Sequence, residues 1–124
     1  MARIFRQGEA KSMGLPGRKS LEIASGERGT QNVTLRLVEI PVANSADKPR
    51  GRHRHEGFEE CIHVLAGEGR TEADSGEFAL KAGDTLVIPP GEMHVTRNTG
   101  KGPLVLLCFF PVGNVAARTR EPDA

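Results

Sequence analysis

The stretch GDTLVIPPGEMH, residues 83–94, decides how this chain is organised. Its β-branched and apolar run at 85–88 predicts a short strand that stops at the two prolines. Gly91 can take the positive φ that a tight turn requires. The turn then delivers His94 onto the following strand, where its imidazole is available to a metal ion.

A second stretch with metal-binding chemistry lies upstream. His53 and His55 are two residues apart, so on a strand both side chains face the same side. Glu60 opens the next extended segment and can add a carboxylate oxygen. Divalent Fe, Mn, Ni, Cu and Zn accept imidazole and carboxylate ligands together. The two stretches therefore predict one metal site on His53, His55, Glu60 and His94.

Each half of this site also has a plainer interpretation. The paired histidines fall in the basic run 50–54, which can be a solvated loop, and Glu56 and Glu59 are rivals of Glu60. A single histidine after a proline turn is usually a surface residue. His63 lies three residues beyond Glu60, so strand alternation turns it to the opposite face. We interpret His63 as a structural or interface residue.

The rest of the chain reads as short strands joined by turns. Fifteen glycines and eight prolines are spread along its length, helical periodicity is weak and no internal repeat is present. Such spacing predicts an all-β sandwich or barrel. We expect a loop at 42–50 and a frayed polar tail at 113–124. The expected strands are residues 32–40, 60–66, 69–72, 77–81, 85–88, 94–98 and 104–110.

Length and composition exclude several classes of function. A chain of 124 residues is one domain, and its net charge of +1 leaves no electrostatic footprint for nucleic acid or an anionic membrane. We expect no signal peptide, and the longest apolar run, 104–110, is too short to span a bilayer. The two cysteines lack CxxC spacing and fit a reducing compartment. We therefore expect a cytoplasmic protein.

Taken together, the two stretches resemble the paired motifs of the cupin superfamily, G(X)5HXH(X)3-4E(X)6G and G(X)5PXG(X)2H(X)3N. The first motif departs at its opening glycine, where this chain has Asp47. Its other fixed positions are matched by His53, His55, Glu60 and Gly67. The second motif is matched at every fixed position, by Gly83, Pro89, Gly91, His94 and Asn98.

The resemblance implies a double-stranded β-helix, or jelly-roll barrel, as a single domain over 1–112 with its motif core at about 31–112. It implies one divalent metal ion inside the barrel, whose identity stays open among Fe, Mn, Ni, Cu and Zn. It also implies a small-molecule ligand or substrate and a homodimer, which sedimentation would reveal. The segment 1–5 has a short apolar signal that could serve as a strand crossing to the partner.

Small cupins similar to this chain have the side of the last strand that carries Cys108 facing the metal. They also have an arginine in the strand before the paired histidines, and Arg36 matches it in place. We name Arg36 and Cys108 as candidate catalytic residues. Arg36 can equally point to solvent, and Cys108 can equally be a small core residue.

Three functions remain open. Four protein ligands leave two positions on a six-coordinate ion, which suits a substrate that chelates through oxygen. An apolar lining from Leu106, Cys108 and Phe110 would make a dry pocket, and no general base accompanies the ligands. We slightly favour a dioxygenase-like metal enzyme over an isomerase, lyase or decarboxylase. A non-catalytic cupin that binds a small molecule is the further alternative.

Overall fold

The computed structural model describes residues 1–44 and 49–122, so Asp47 lies outside the described residues. The described part forms eleven strands and three 3₁₀ helices, the latter at Gln7–Glu9, Gly26–Arg28 and Ala116–Arg118. Within it, no helix is long and apolar enough to cross a membrane. The strands are β1 (Lys11–Ser12), β2 (Lys19–Ala24), β3 (Thr34–Ile40), β4 (Arg54–His55), β5 (Glu60–Ala66), β6 (Glu68–Ala73), β7 (Gly76–Lys81), β8 (Thr85–Ile88), β9 (His94–Asn98), β10 (Leu104–Phe110) and β11 (Thr119–Arg120).

Two antiparallel sheets make up the barrel. The larger has the strand order β1-β2-β3-β10-β5-β8, and the smaller has the order β7-β6-β9. A separate pair, β4 and β11, lies beside them. The buried core draws on both sheets, with Leu104 and Leu106 from the larger and Leu80 from the smaller. The predicted all-β jelly-roll fold is confirmed.

Side-chain alternation decides which residues line the interior. Along β3 and β10 every second residue is buried, as expected for strands with one face on a core. The register sets Cys108 opposite Arg36 on one side and opposite Ile62 on the other. These three side chains therefore form one row across the inner face of the larger sheet.

Strand β2 was not predicted from the sequence, because its polar residues face the interior and its apolar residues face outward. Its two buried positions are the polar residues Ser20 and Glu22, whereas Leu21 and Ile23 are only half-buried. A polar face turned inward does not resemble a core strand in a hydrophobicity pattern. The inward carboxylate is compensated across the strand pair, where Glu22 forms an ion pair with Arg36.

The described part of the predicted tail, residues 113–122, packs against the barrel. Val115 is buried in the core, residues 116–118 form a 3₁₀ turn, and β11 pairs with β4. A single apolar anchor among polar residues is too weak a pattern to predict this packing. The segment brings Thr119 and Glu121 to the same cavity as the paired histidines.

The segment 1–5 forms no strand within one chain. Its ring, Phe5, lies beside the guanidinium groups of Arg3 and Arg28 at 5.1 and 5.0 Å, while Met1 and Ile4 are exposed. Such cation–π contacts hold the ring on the surface of its own chain. Crossing of this segment to a partner, and the homodimer itself, stay predictions.

Candidate metal centre

Backbone pairing brings together His53, from the first motif, and His94, from the second. Each donates its backbone N–H to the other's carbonyl oxygen, at 3.0 and 2.8 Å. This antiparallel bridge sets the two rings side by side, with centroids 4.4 Å apart. The histidine after the proline turn is therefore a buried partner of the first pair, and the surface interpretation is wrong.

The turn at residues 89–91 also positions His55. Gly91 has φ +82°, as the sequence predicted, and its N–H donates to the carbonyl oxygen of His55 at 2.7 Å. His53 and His55 are both buried, with half-buried Arg54 between them facing away. The basic run around them is therefore not a solvated loop at these positions.

Glu60 stands at the centre of the three imidazoles. Its Oε1 lies 3.1 Å from Nε2 of His55 and 3.0 Å from Nε2 of His94. One donor atom from each of the four buried residues lies within 4.8 Å of the other three. Oxygen and nitrogen ligands bind a divalent metal ion at about 2.0–2.2 Å. Only small side-chain shifts are therefore needed for all four residues to bind one ion.

The hydrogen bonds of two rings fix which nitrogen faces the cluster. Nδ1 of His94 lies 2.9 Å from the carbonyl oxygen of Glu92, which can only accept, so this nitrogen carries the proton. Nδ1 of His55 donates to the hydroxyl oxygen of Thr119, because that hydroxyl donates to the carbonyl of Val115. In both rings Nδ1 thus donates outside the cluster, and Nε2 faces the carboxylate of Glu60. A divalent metal ion in place of the protons at this point would be shared by both nitrogens and the carboxylate, and the cluster fits one such ion.

Burial and the contacts with Glu60 set the pKa values within the cluster. Burial, together with the charges of His94 and Arg50, lowers the pKa of His53 to about 2, so this ring is neutral. Burial opposes ionisation of Glu60, but hydrogen bonds from His55 and His94 outweigh it and lower the pKa of the carboxyl. The pKa of His94 is raised, against burial, by its hydrogen bond to Glu60.

The cluster lies on a cavity of about 140 Å³, and both candidate catalytic residues line it. Arg36 does not point to solvent: its guanidinium lies over the ring of Phe110 at 5.2 Å and pairs with Glu22 at 2.9 Å. The thiol of Cys108 is buried, and burial beside the Glu60 carboxylate raises its pKa. It is a protonated thiol at neutral pH, so it is no thiolate nucleophile.

The lining of the cavity is more polar than we predicted from the sequence. Leu106, Cys108 and Phe110 do line it, but so do the guanidiniums of Arg18, Arg36 and Arg50 and the carboxylate of Glu121. Arg50 belongs to the basic run that the sequence analysis treated as ambiguous. Arg18 and Glu121 lie outside the motifs and carried no recognisable signal. His63 faces outward as predicted and bonds Thr85 on an exposed surface at 2.8 Å.

Thr119 should matter for metal affinity although it is not among the four clustered residues. Its hydroxyl fixes the tautomer of His55, and such supporting hydrogen bonds are typically worth ten- to a hundredfold in affinity. We expect Thr119→Val to weaken Zn(II) or Mn(II) binding about tenfold, measured by competition with a chelating dye.

The matched control is Thr85→Val, which removes the same kind of hydroxyl–histidine bond from His63 on the outer face. This variant should bind metal like the wild type. Equal affinities for Thr119→Val and Thr85→Val would show that the Thr119 hydroxyl does not orient the ligand ring.

Comparison with known proteins places this geometry in context. A family model described as a cupin domain matches residues 37–110. The oxalate-binding protein of Thermotoga maritima is 39% identical over 60 residues, which cover 48% of this chain and 50% of that protein. The chain spans about half the length of the first curated relatives that it matches.

Solved structures share the fold over nearly the whole chain. The oxalate decarboxylase of Lactobacillus farciminis, in a formate complex, superposes with a TM-score of 0.80 and 22% identity, over 95% of this chain and 35% of that one. The oxalate decarboxylase of Bacillus subtilis, described with Mn(II) centres, gives a TM-score of 0.76 and 23% identity over 94% and 31%. At these identities the likeness establishes the fold alone.

Proposed function

The chain belongs to the cupin domain family, and from this premise we propose that it is a metal-dependent cupin acting on a small dicarboxylate of the oxalate class. In this proposal His53, His55, Glu60 and His94 hold one divalent ion. The observation that carries it is the cavity beside that cluster, which is small and lined by three guanidinium groups. Guanidinium forks match the planar geometry of a carboxylate.

The charges in the cavity favour an anion over a neutral substrate. Arg18, Arg36 and Arg50 face Glu22, Glu60 and Glu121, so three positive charges meet three negative ones before any metal is counted. A divalent ion adds two positive charges, and a dicarboxylate would balance them. The volume of about 140 Å³ accommodates a molecule of a few heavy atoms.

This charge balance moves our preference from a dioxygenase to a decarboxylase. Dioxygenase chemistry was favoured because an apolar, dry pocket was expected, and the three arginines remove that reason. The oxalate-binding relative and the oxalate decarboxylase neighbours support the same alternative. Decarboxylation would break the C–C bond of oxalate, release carbon dioxide, and protonate the remaining carbon with one added proton to give formate.

Each part of the cavity would have its own task in this reaction. A bound divalent ion supplies Lewis acidity toward the carboxylate oxygens. The guanidiniums hold the anion in place, and Leu106 and Phe110 exclude water from it. Glu121 is the carboxyl group in the cavity outside the metal cluster among the described residues, and it is the candidate to move a proton.

The test is a binding and turnover assay on the Mn(II)-loaded protein. We expect oxalate to bind at least tenfold more tightly than acetate in calorimetry, because a second carboxylate adds charge-assisted hydrogen bonds of about 1.5–3 kcal/mol each. Carbon-13 NMR with labelled oxalate should then reveal formate.

Two other outcomes would redirect the proposal. Tight oxalate binding without formate would make the protein a binder of dicarboxylates. Oxygen uptake with a flavonol, enediol or catechol in an electrode assay, with no affinity for oxalate, would restore the dioxygenase alternative and refute the proposal.

A further inference from the structure

Arg18 differs from the other two arginines of the cavity in having no carboxylate partner. Arg36 pairs with Glu22, and Arg50 pairs with Glu121. Among the residues that the structure describes, no carboxylate lies within ion-pair distance of Arg18. One hydrogen bond is formed by its guanidinium there, from Nη2 to the carbonyl oxygen of Thr96 at 3.0 Å.

The Nε–H of Arg18 is buried and has no acceptor among the described residues 1–44 and 49–122. A buried donor without a partner typically costs 1–3 kcal/mol, and more when the group is charged. Burial, followed by the repulsion of Arg50, lowers the pKa of Arg18 to about 10. The group still carries its charge at neutral pH, so the barrel holds a cation that no carboxylate of the described residues pairs with directly.

The surroundings of Arg18 face the metal cluster. Arg18 immediately precedes β2. It lines the cavity together with Met13 and Leu15, which lie in the same segment between β1 and β2. The negative charge of Glu60 reaches the guanidinium of Arg18 and opposes the fall in its pKa. An anion bound between the cluster and this segment would satisfy the unpaired donor.

We propose that Arg18 binds the carboxylate oxygens of the substrate that point away from the metal cluster, and that it thereby selects dianions. The inference rests on the proposed function, because it assigns the anion to that site. Arg18 is then a specificity-determining residue from outside the sequence motifs. Arg36 and Arg50 differ from Arg18 because each already pairs with a carboxylate of the protein, which offsets its positive charge.

The experiment compares two ligands on Mn(II)-loaded protein by calorimetry. Oxalate is the dianionic probe, and acetohydroxamate is a bidentate oxygen chelator that reports on the metal alone. We expect Arg18→Gln to weaken oxalate binding at least tenfold and to change acetohydroxamate binding less than twofold. Arg18→Lys keeps the charge but loses the fork, and it should fall between Arg18→Gln and the wild type.

The matched control is Lys19→Gln, which removes one positive charge from the adjacent, exposed residue. It should change neither ligand's affinity by more than twofold. Thermal unfolding without ligand provides a further readout. Removal of an unpaired buried charge should not lower the melting temperature of Arg18→Gln, whereas loss of a structural arginine would.

Several results would overturn the assignment. Oxalate affinity within twofold of wild type in Arg18→Gln would show that Arg18 does not contact the anion. Equal losses for both ligands, or a loss of bound metal, would indicate a structural role. Acetohydroxamate binding without oxalate binding in the wild type would refute the proposed function itself, and the assignment with it.

Discussion

Alanine in place of His53, His55 or His94 is expected to strip most of the bound metal from the purified protein. Each of these rings is buried and aims one nitrogen at the common point beside Glu60. Losing an orienting neighbour of such a ligand costs ten- to a hundredfold in affinity, so losing the ligand itself should cost at least about a hundredfold. Elemental analysis after identical dialysis measures the ion per chain.

The control for this series is His63→Ala, since His63 bonds Thr85 on the outer face of the barrel. It should retain about one ion per chain. Glu60→Gln is a second test that keeps side-chain volume and removes only the central charge, so a loss of metal there is not a packing effect. An empty site in His63→Ala with a full site in His94→Ala would overturn the ligand assignment.

Gly67→Ala is expected to destabilise the fold more than any surface substitution. Gly67 has φ +88°, a conformation that costs a residue with a Cβ about 1–2 kcal/mol. A Cβ at this position would also stand 2.4 Å from the carbonyl oxygen of Pro103 and 3.0 Å from Cα of Leu104. Both obstacles are backbone atoms that cannot rotate away. Overpacking adds about 1–3 kcal/mol, for a total of about 2–5 kcal/mol.

Gly91→Ala separates the two contributions. Its φ of +82° is nearly the same, but a Cβ there would meet nothing within 4 Å. This variant should lose only the conformational part, about 1–2 kcal/mol. Urea unfolding of the metal-free proteins gives both values without a contribution from metal binding. Equal losses in the two variants would mean that the backbone near Pro103 moves aside at little cost.

The buried side of the last strand shows how much alternation alone could predict. The prediction that Leu106, Cys108 and Phe110 share one face is confirmed, because each is buried and lines the cavity. What alternation could not supply was the character of that cavity. Its three arginines come from the segment before β2, from β3 and from the segment before β4, which lie far apart along the chain.

Local sequence patterns were sufficient to predict several strands. Strand β5, β8, β9 and β10 have the predicted bounds, since period-two patterns and turn glycines depend on near neighbours along the chain. The hairpin of β6 and β7 was predicted for the same reason. The four metal-cluster residues could be named in advance because they lie in two short motifs, each with a fixed spacing between its residues.

Only the tertiary structure decided which charges meet inside the barrel. The ion pair of Arg50 with Glu121 joins residues 71 positions apart, and Arg18 reaches the carbonyl of Thr96 across 78 positions. Such contacts depend on strand register and on which face of β2 turns inward, where a polar residue carries no hydrophobic signal. The lack of a carboxylate partner for Arg18 among the described residues therefore could not be predicted from the sequence.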